Sequence, residues 1–140
     1  MTPFDRRFAE LGARTWHDIG RLRTDVFVVE QACIYREFDG RDTEAATRHI
    51  WTEHGQLIQT YLRVLDDGES RRIGRVVTHP EHRGGGLAAE LLSYALGATR
   101  GPWILDAQAH LEAWYARFGF AREGEAFMDY GIAHVSMWRR

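Results

Sequence analysis

Residues 71–98, "RRIGRVVTHPEHRGGGLAAELLSYALGA", constrain this chain more than any other segment. An apolar, β-branched run ends at Pro80, which has no N–H to offer a ladder, so a strand stops there. Arg83 and three consecutive glycines follow, after which Leu87, Leu91 and Leu92 fall on one face of a helix. Strand, glycine loop and fresh helix N-terminus together make an anion site. The first amides of a helix lack internal partners, and its dipole adds partial positive charge there. Glycines accept positive φ and let the backbone approach bulky phosphate oxygens, while Arg83 adds a fork of donors. The competing account is a flexible turn that binds nothing. A Walker loop is excluded because no Gly-Lys-Ser/Thr follows. Gly84, Gly86 and Ala89 meet the dinucleotide spacing, but its acidic partner is missing, since Asp106 sits inside an apolar strand.

The flanking segments give this unit its context. "RTWHDIGRLRTDVFVVEQ" reads as a helix capped by Thr15, with Ile19, Leu22, Val26 and Val29 on one face. Residues 32–47 have no sustained period and read as a loop. "RHIWTEH" and "QLIQTYLRVL" read as strands turning at Gly55, and Asp66-Asp67-Gly68 marks the turn into the third strand. Gly101-Pro102 separates the second helix from "WILDAQ", short and apolar enough for a strand buried on both faces. "HLEAWYARFGF" reads as a helix ended by Gly119 in the left-handed region, and the tail as two strands turning near Gly131. The order predicts a mixed α/β sheet in one domain spanning residues 1–140.

Composition removes several classes of function. A net charge of −2 supplies no basic field for nucleic acid or an anionic membrane. No apolar run approaches the roughly 20 residues that span a bilayer. The first ten residues lack the apolar core of a signal peptide, and Cys33, the single cysteine, has no disulfide partner in the chain, so a cytoplasmic location is expected. No Cys/His cluster has structural zinc spacing, and no metal is expected.

Arg83-Gly84-Gly85-Gly86-Leu87-Ala88 resembles the Gln/Arg-x-x-Gly-x-Gly/Ala signature of the GCN5-related N-acetyltransferases, the GNAT superfamily. "VVTHP" is similar to that superfamily's Val-x-x-x-Pro strand end, and "WYARFGF" to its C-terminal aromatic-Tyr and Gly-Phe motif. Within it, "VFVVEQACIYREFDGRD", "RHI" and "AQAHLEAWYARFGF" are similar to the ElaA-like acetyltransferases. The resemblance covers the chain from about Arg21 onward. It implies the GNAT fold: a twisted, mostly antiparallel sheet with helices on both faces and a splayed central strand.

The resemblance also implies acetyl-CoA as co-substrate and roles for named residues. Val76, Val77 and Thr78 would pair with the pantetheine arm, and an N–H near Val77 would stabilise charge on the acyl oxygen. Arg83 and the amides of Gly84, Gly85, Gly86, Leu87 and Ala88 would cradle the pyrophosphate. Gln108 stands where the family usually has Asn, and Tyr115 where it has the tyrosine near the thioester sulfur. That hydroxyl would hydrogen-bond or protonate the departing thiolate. Without the motif, Tyr115 would read as a core aromatic beside Trp114 and Phe118.

For the acceptor side, the loop from Glu30 to Glu44 carries Glu30, Glu37, Asp39, Asp42 and Glu44 against Arg36 and Arg41. It reads as an acidic rim that attracts a cationic amine. Glu30 is the first candidate for the general base, with His49 and His110 behind it. Asp39, Asp42 and His49 read as solvated loop residues and Cys33 as a small buried filler. The expected activity is acetyl transfer from acetyl-CoA to a primary amine of a small molecule or peptide in a direct ternary complex. The alternatives are a non-catalytic acyl-CoA sensor or partner protein and an acyl-homoserine-lactone-synthase-like enzyme. A homodimer is the prior for a small enzyme of this kind.

Overall fold

Three strands in succession, Arg48–His54 (β2), Leu57–Asp66 (β3) and Arg71–Thr78 (β4), build the centre of the sheet in a computed structural model that describes residues 2–140. Gly55 and Gly68 sit in the two turns at φ +63° and +87°, where a side chain would be strained. Before them come a short edge strand, Phe4–Arg7 (β1), and the helix Ala13–Thr24 (α1). After β4 come the helix Leu87–Ala98 (α2), the strand Trp103–Gln108 (β5) and a short helix, Glu112–Ala116 (α3). Ala121–Arg122 (β6), Phe127–Asp129 (β7) and Ile132–Arg139 (β8) complete the sheet. The strand order is β1-β2-β3-β4-β5-β8-β6, with β7 also on β8. All neighbours are antiparallel except β4 and β5.

Helices cover both faces, as the fold requires. On one side Ile19, Leu22 and Val26 pack on Trp51, Ile58, Tyr61 and Val77. On the other, Leu91, Leu92 and Ala95 of α2 pack with Tyr115 and Phe120 over Leu62, Val64, Ile73, Leu105 and Val135. Each of those aliphatic side chains contributes about 1.5–3 kcal/mol by leaving water. No helix among the described residues is long and apolar enough to cross a membrane.

Several expectations are corrected. Thr15 lies inside α1 rather than capping it; the N-cap is Gly12, which offers no side-chain bond. The first helix changes to a π-helical turn over Asp25–Glu30. Its wider turn rotates the following residues off the buried face, and Val29 is left 70% exposed. β1 carries no alternation in its sequence; it is held to β2 by the ladder, by Phe4 stacked on Trp51 at 5.3 Å and by Arg48 Nε donating to the Asp5 carboxylate at 2.9 Å. The third helix is shorter than its sequence pattern, yet Gly119 terminates it at φ +89° as expected. β5 is not buried on both faces, because Asp106 points outward to Arg72 at 3.3 Å.

Candidate active site

β4 and β5 are paired only at Arg71–Trp103 and Arg72–Ile104, so beyond that point the two strands diverge. A bulge in β4 accompanies the divergence. Arg63 stands opposite Gly74 and Tyr61 opposite Val77, so Leu62 faces two residues, Arg75 and Val76. Arg75 holds φ +54°, a strained value for a side chain of its size. Its guanidinium is fixed by the Glu37 carboxylate and carbonyl, each at 3.0 Å, and lies 5.6 Å from the Tyr35 ring centroid. The opening becomes a cleft of about 840 Å³, lined by β4, β5, α2, α3, the π-helical turn and the β7–β8 turn.

The ladder decides which amides of β4 are free. His79 N–H donates to Gln59 C=O at 2.7 Å, so the pair two residues on, Val77 and Tyr61, is also hydrogen-bonded. The backbone groups of Thr78 therefore point the other way, and the Thr78 carbonyl accepts from Arg83 Nε at 3.2 Å. Val77 spends its N–H on β3. By the same alternation the Thr78 N–H turns away from β3 toward the opening, beside Val77.

At one end of the cleft, Gly84 and Gly86 adopt φ +85° and +82° at the mouth of α2. The first intrahelical bond is Glu90 N–H to Gly86 C=O, leaving the Leu87, Ala88 and Ala89 amides without helical partners. A Cβ on Gly84, Gly85 or Gly86 would meet no atom within 4 Å. Gly85 also lacks a positive φ, so neither strain nor the protein's own packing requires glycine there. Open space above unpaired amides fits a phosphate group.

Arg83 Nη1 and Nη2 donate to the Glu30 carboxylate at 2.9 and 3.0 Å. Those hydrogen bonds hold the Glu30 carboxyl below its ordinary range. A carboxylate so engaged takes up a proton less readily, which argues against the base role assigned to Glu30. His49 is buried with both nitrogens committed, to Tyr61 Oη at 2.6 Å and the Asp42 carbonyl at 3.0 Å, and does not reach the cleft. His110 does line it.

Tyr115 reaches the cleft from α3, its ring edge-on to Trp114 and Phe120 at 4.9 and 6.3 Å. Burial pushes its phenol up to about 12, so it stays protonated at neutral pH and can donate. Gln108, at the end of β5, donates to Gln31 Oε1 at 3.1 Å and ties β5 to the π-helical turn.

The acidic rim is corrected. Glu37 and Asp42 are buried, and Asp39 joins them in a network with Arg23, Arg63 and Arg75. Those carboxylates hold the loop down and offer no field to a substrate. Instead the loop brings Tyr35 to Tyr130, centroids 5.6 Å apart, and the Cys33 thiol to the Tyr130 carbonyl at 3.6 Å. Tyr35, Tyr130 and His134 in the cleft wall carry no periodic signal in the sequence. Only the Tyr130-Gly131 turn, at φ +48° and +80°, could have marked that end.

The acetyltransferase (GNAT) domain family matches residues 16–140. Protein ElaA of Escherichia coli is 36% identical over 143 residues, 96% of this chain and 94% of its own. A UPF0039 protein of Mycobacterium tuberculosis is 47% identical over 137 residues, 93% of this chain and 87% of its own. Among solved structures, an acyl-CoA N-acyltransferase from Pseudomonas aeruginosa superposes with TM-score 0.94 at 37% identity, covering 99% of this chain and 98% of that one. E. coli ElaA gives 0.92 at 34%, with the same coverage. The fold is that of the acyl-CoA N-acyltransferases, and the chain belongs to the GNAT acetyltransferase family.

Proposed function

We propose that this protein transfers an acetyl group from acetyl-CoA to a primary amine of a small molecule or peptide in a direct ternary complex. The observation that carries the reading is the placement of the glycine-lined α2 N-terminus and the Tyr115 phenol on the cleft where β4 and β5 part. One end suits a pyrophosphate and the other a leaving sulfur. An aminoglycoside 6'-N-acetyltransferase complexed with coenzyme A shares the fold, with TM-score 0.74 at 10% identity.

Acetyl-CoA, when bound, supplies an activated thioester. The loop amides and Arg83 hold the phosphates, and Arg83 must loosen from Glu30 to turn its fork on them. The backbone of Val76 and the free amide of Thr78 pair with the pantetheine arm, and an N–H of this stretch faces the acyl oxygen where negative charge grows. Gln108 steadies the arm from the β5 side. Tyr115 gives its proton to the sulfur as the C–S bond breaks and the new C–N bond forms. Much of the rate comes from holding amine and thioester together.

Heat-stability shifts with CoA, acetyl-CoA and longer acyl-CoAs test binding; thiol release with an amine panel tests transfer. Saturation at about 100 times Kd stabilises the fold by about 2.7 kcal/mol, a shift of several degrees. No shift with any CoA would sink the reading. A shift with no thiol release from any amine would favour the acyl-CoA sensor.

A further inference from the structure

We infer that His134 takes the proton from the acceptor amine, an inference that rests on the site being an amine acyltransferase. His134 stands opposite Gln108 on one side of β8 and opposite Phe127 on the other. Its ring is stacked on Phe127 at 5.9 Å and 24°. The neighbouring pair, Ala107 and Val135, is buried in the core under α2 and α3, so Gln108 and His134 face the opposite side of the sheet. There His134 lines the cleft, together with Cys33, Tyr35 and Tyr130.

The tautomer follows from its hydrogen bond. Nδ1 lies 2.7 Å from the Ile132 carbonyl oxygen, which can only accept. Nδ1 therefore carries hydrogen, and the neutral ring leaves a lone pair on Nε2. Nε2 meets no protein partner among the described residues. Most other titratable groups here are committed. Asp106 on β5 is engaged by Arg72 at 3.3 Å, the Tyr35 hydroxyl donates to Glu37, and the Cys33 thiol to the Tyr130 carbonyl. Across the cleft Arg83 holds Glu30. Asp129 on β7, the Tyr130 phenol in the turn, His82 before the glycine loop and His110 after β5 remain; unlike His134, neither of those two rings is held by a backbone carbonyl. The carboxylate supplies a charge that draws an ammonium group in, whereas imidazole is the side chain suited to proton transfer near neutral pH.

Starting from a neutral amine, His134 Nε2 accepts the amine proton as the C–N bond forms and the C–S bond breaks, while Tyr115 protonates the sulfur. The imidazolium keeps Nδ1–H on Ile132 and returns the Nε2 proton to water, and water restores the phenol. One proton thus leaves nitrogen and one reaches sulfur.

His134→Asn tests this, since its amide retains a donor for the Ile132 carbonyl and removes Nε2. With any amine the wild type acetylates, kcat should fall about 10²–10⁴-fold with the CoA heat shift retained. The part of the acidic limb of the kcat pH profile that stays in place when amines of different basicity are compared should vanish. An unchanged kcat, or a lower one that keeps that part of the limb, would overturn the proposal. ¹⁵N imidazole spectra of the wild-type protein need no turnover. Hydrogen on Nε2 in the neutral ring would also overturn it. Loss of the CoA shift in the wild type would instead count against the acyltransferase reading itself.

Discussion

Glu37 holds Arg75 at the point where β4 bulges, and the same carboxylate receives Arg23 Nε at 2.7 Å from α1. One buried acid therefore joins the 32–47 loop, the first helix and the strand whose distortion opens the cleft. Arg75 keeps φ +54° because both Glu37 oxygen types, side chain and main chain, hold its guanidinium.

Glu37→Gln should accordingly act on stability and on the site together. Breaking a buried ion pair from one side removes about 3–5 kcal/mol. Urea denaturation should show that loss, and the variant should bind CoA less tightly as the bulge relaxes. Unchanged CoA affinity would show that the bulge stands without its anchor.

Acid should weaken the fold in two stages. Burial lowers His49 below 6.5, so the unfolded chain protonates there while the folded one resists, and stability falls as pH drops below about 6.5. Asp39 and Asp42 are held below 3.8 by Arg63 and Arg23 against the opposing effect of burial. Their contribution is complete well above pH 3.8 and is lost as pH falls through their depressed values. Urea midpoints measured down to about pH 3 should show the first stage and the onset of the second, and His49→Gln should remove the first.

Gly85 and Gly86 separate ligand contact from backbone strain. Gly85→Ala has open space and an ordinary φ, so stability should be nearly unchanged while the Kd for CoA rises about tenfold, 1.4 kcal/mol. Gly86→Ala adds strain at φ +82°, about 1–2 kcal/mol of stability. Calorimetry of both variants would reveal an error if Gly85→Ala bound CoA as the wild type does.

Glu30→Gln weakens the hold on Arg83. Titration with CoA should give a Kd lowered about fivefold, about 1 kcal/mol, as the guanidinium becomes available to phosphate. A collapse of kcat with unaltered CoA affinity would return Glu30 to the role of base.

Tyr115→Phe should lower kcat by about 10²-fold or more and leave the CoA heat shift in place. Removing a hydroxyl with no protein hydrogen bond should leave the urea midpoint near that of the wild type. A defect confined to CoA binding would refute a role at the sulfur.

Much of this arrangement was legible before folding, because its signals are local. Pro80 ended β4, Gly119 ended the third helix, and the glycines before Leu87 marked a helix mouth, each through backbone chemistry confined to a few residues. The order of those signals, with the motifs at Arg83 and Tyr115, was enough for the family. The acceptor side was not legible. Asp39, Asp42 and Glu37 read as a solvated rim because a carboxylate's partners lie 14 to 38 residues away in Arg23, Arg63 and Arg75. Only the tertiary fold, by bringing Arg23 of α1, Arg63 of β3 and Arg75 of β4 against the loop, turned the acids inward. His134 acquired its tautomer from Ile132 and its outlook from the pairing with Gln108. The sequence by itself determined where the backbone could receive a phosphate; long-range pairing decided which side chains line the other end of the cleft.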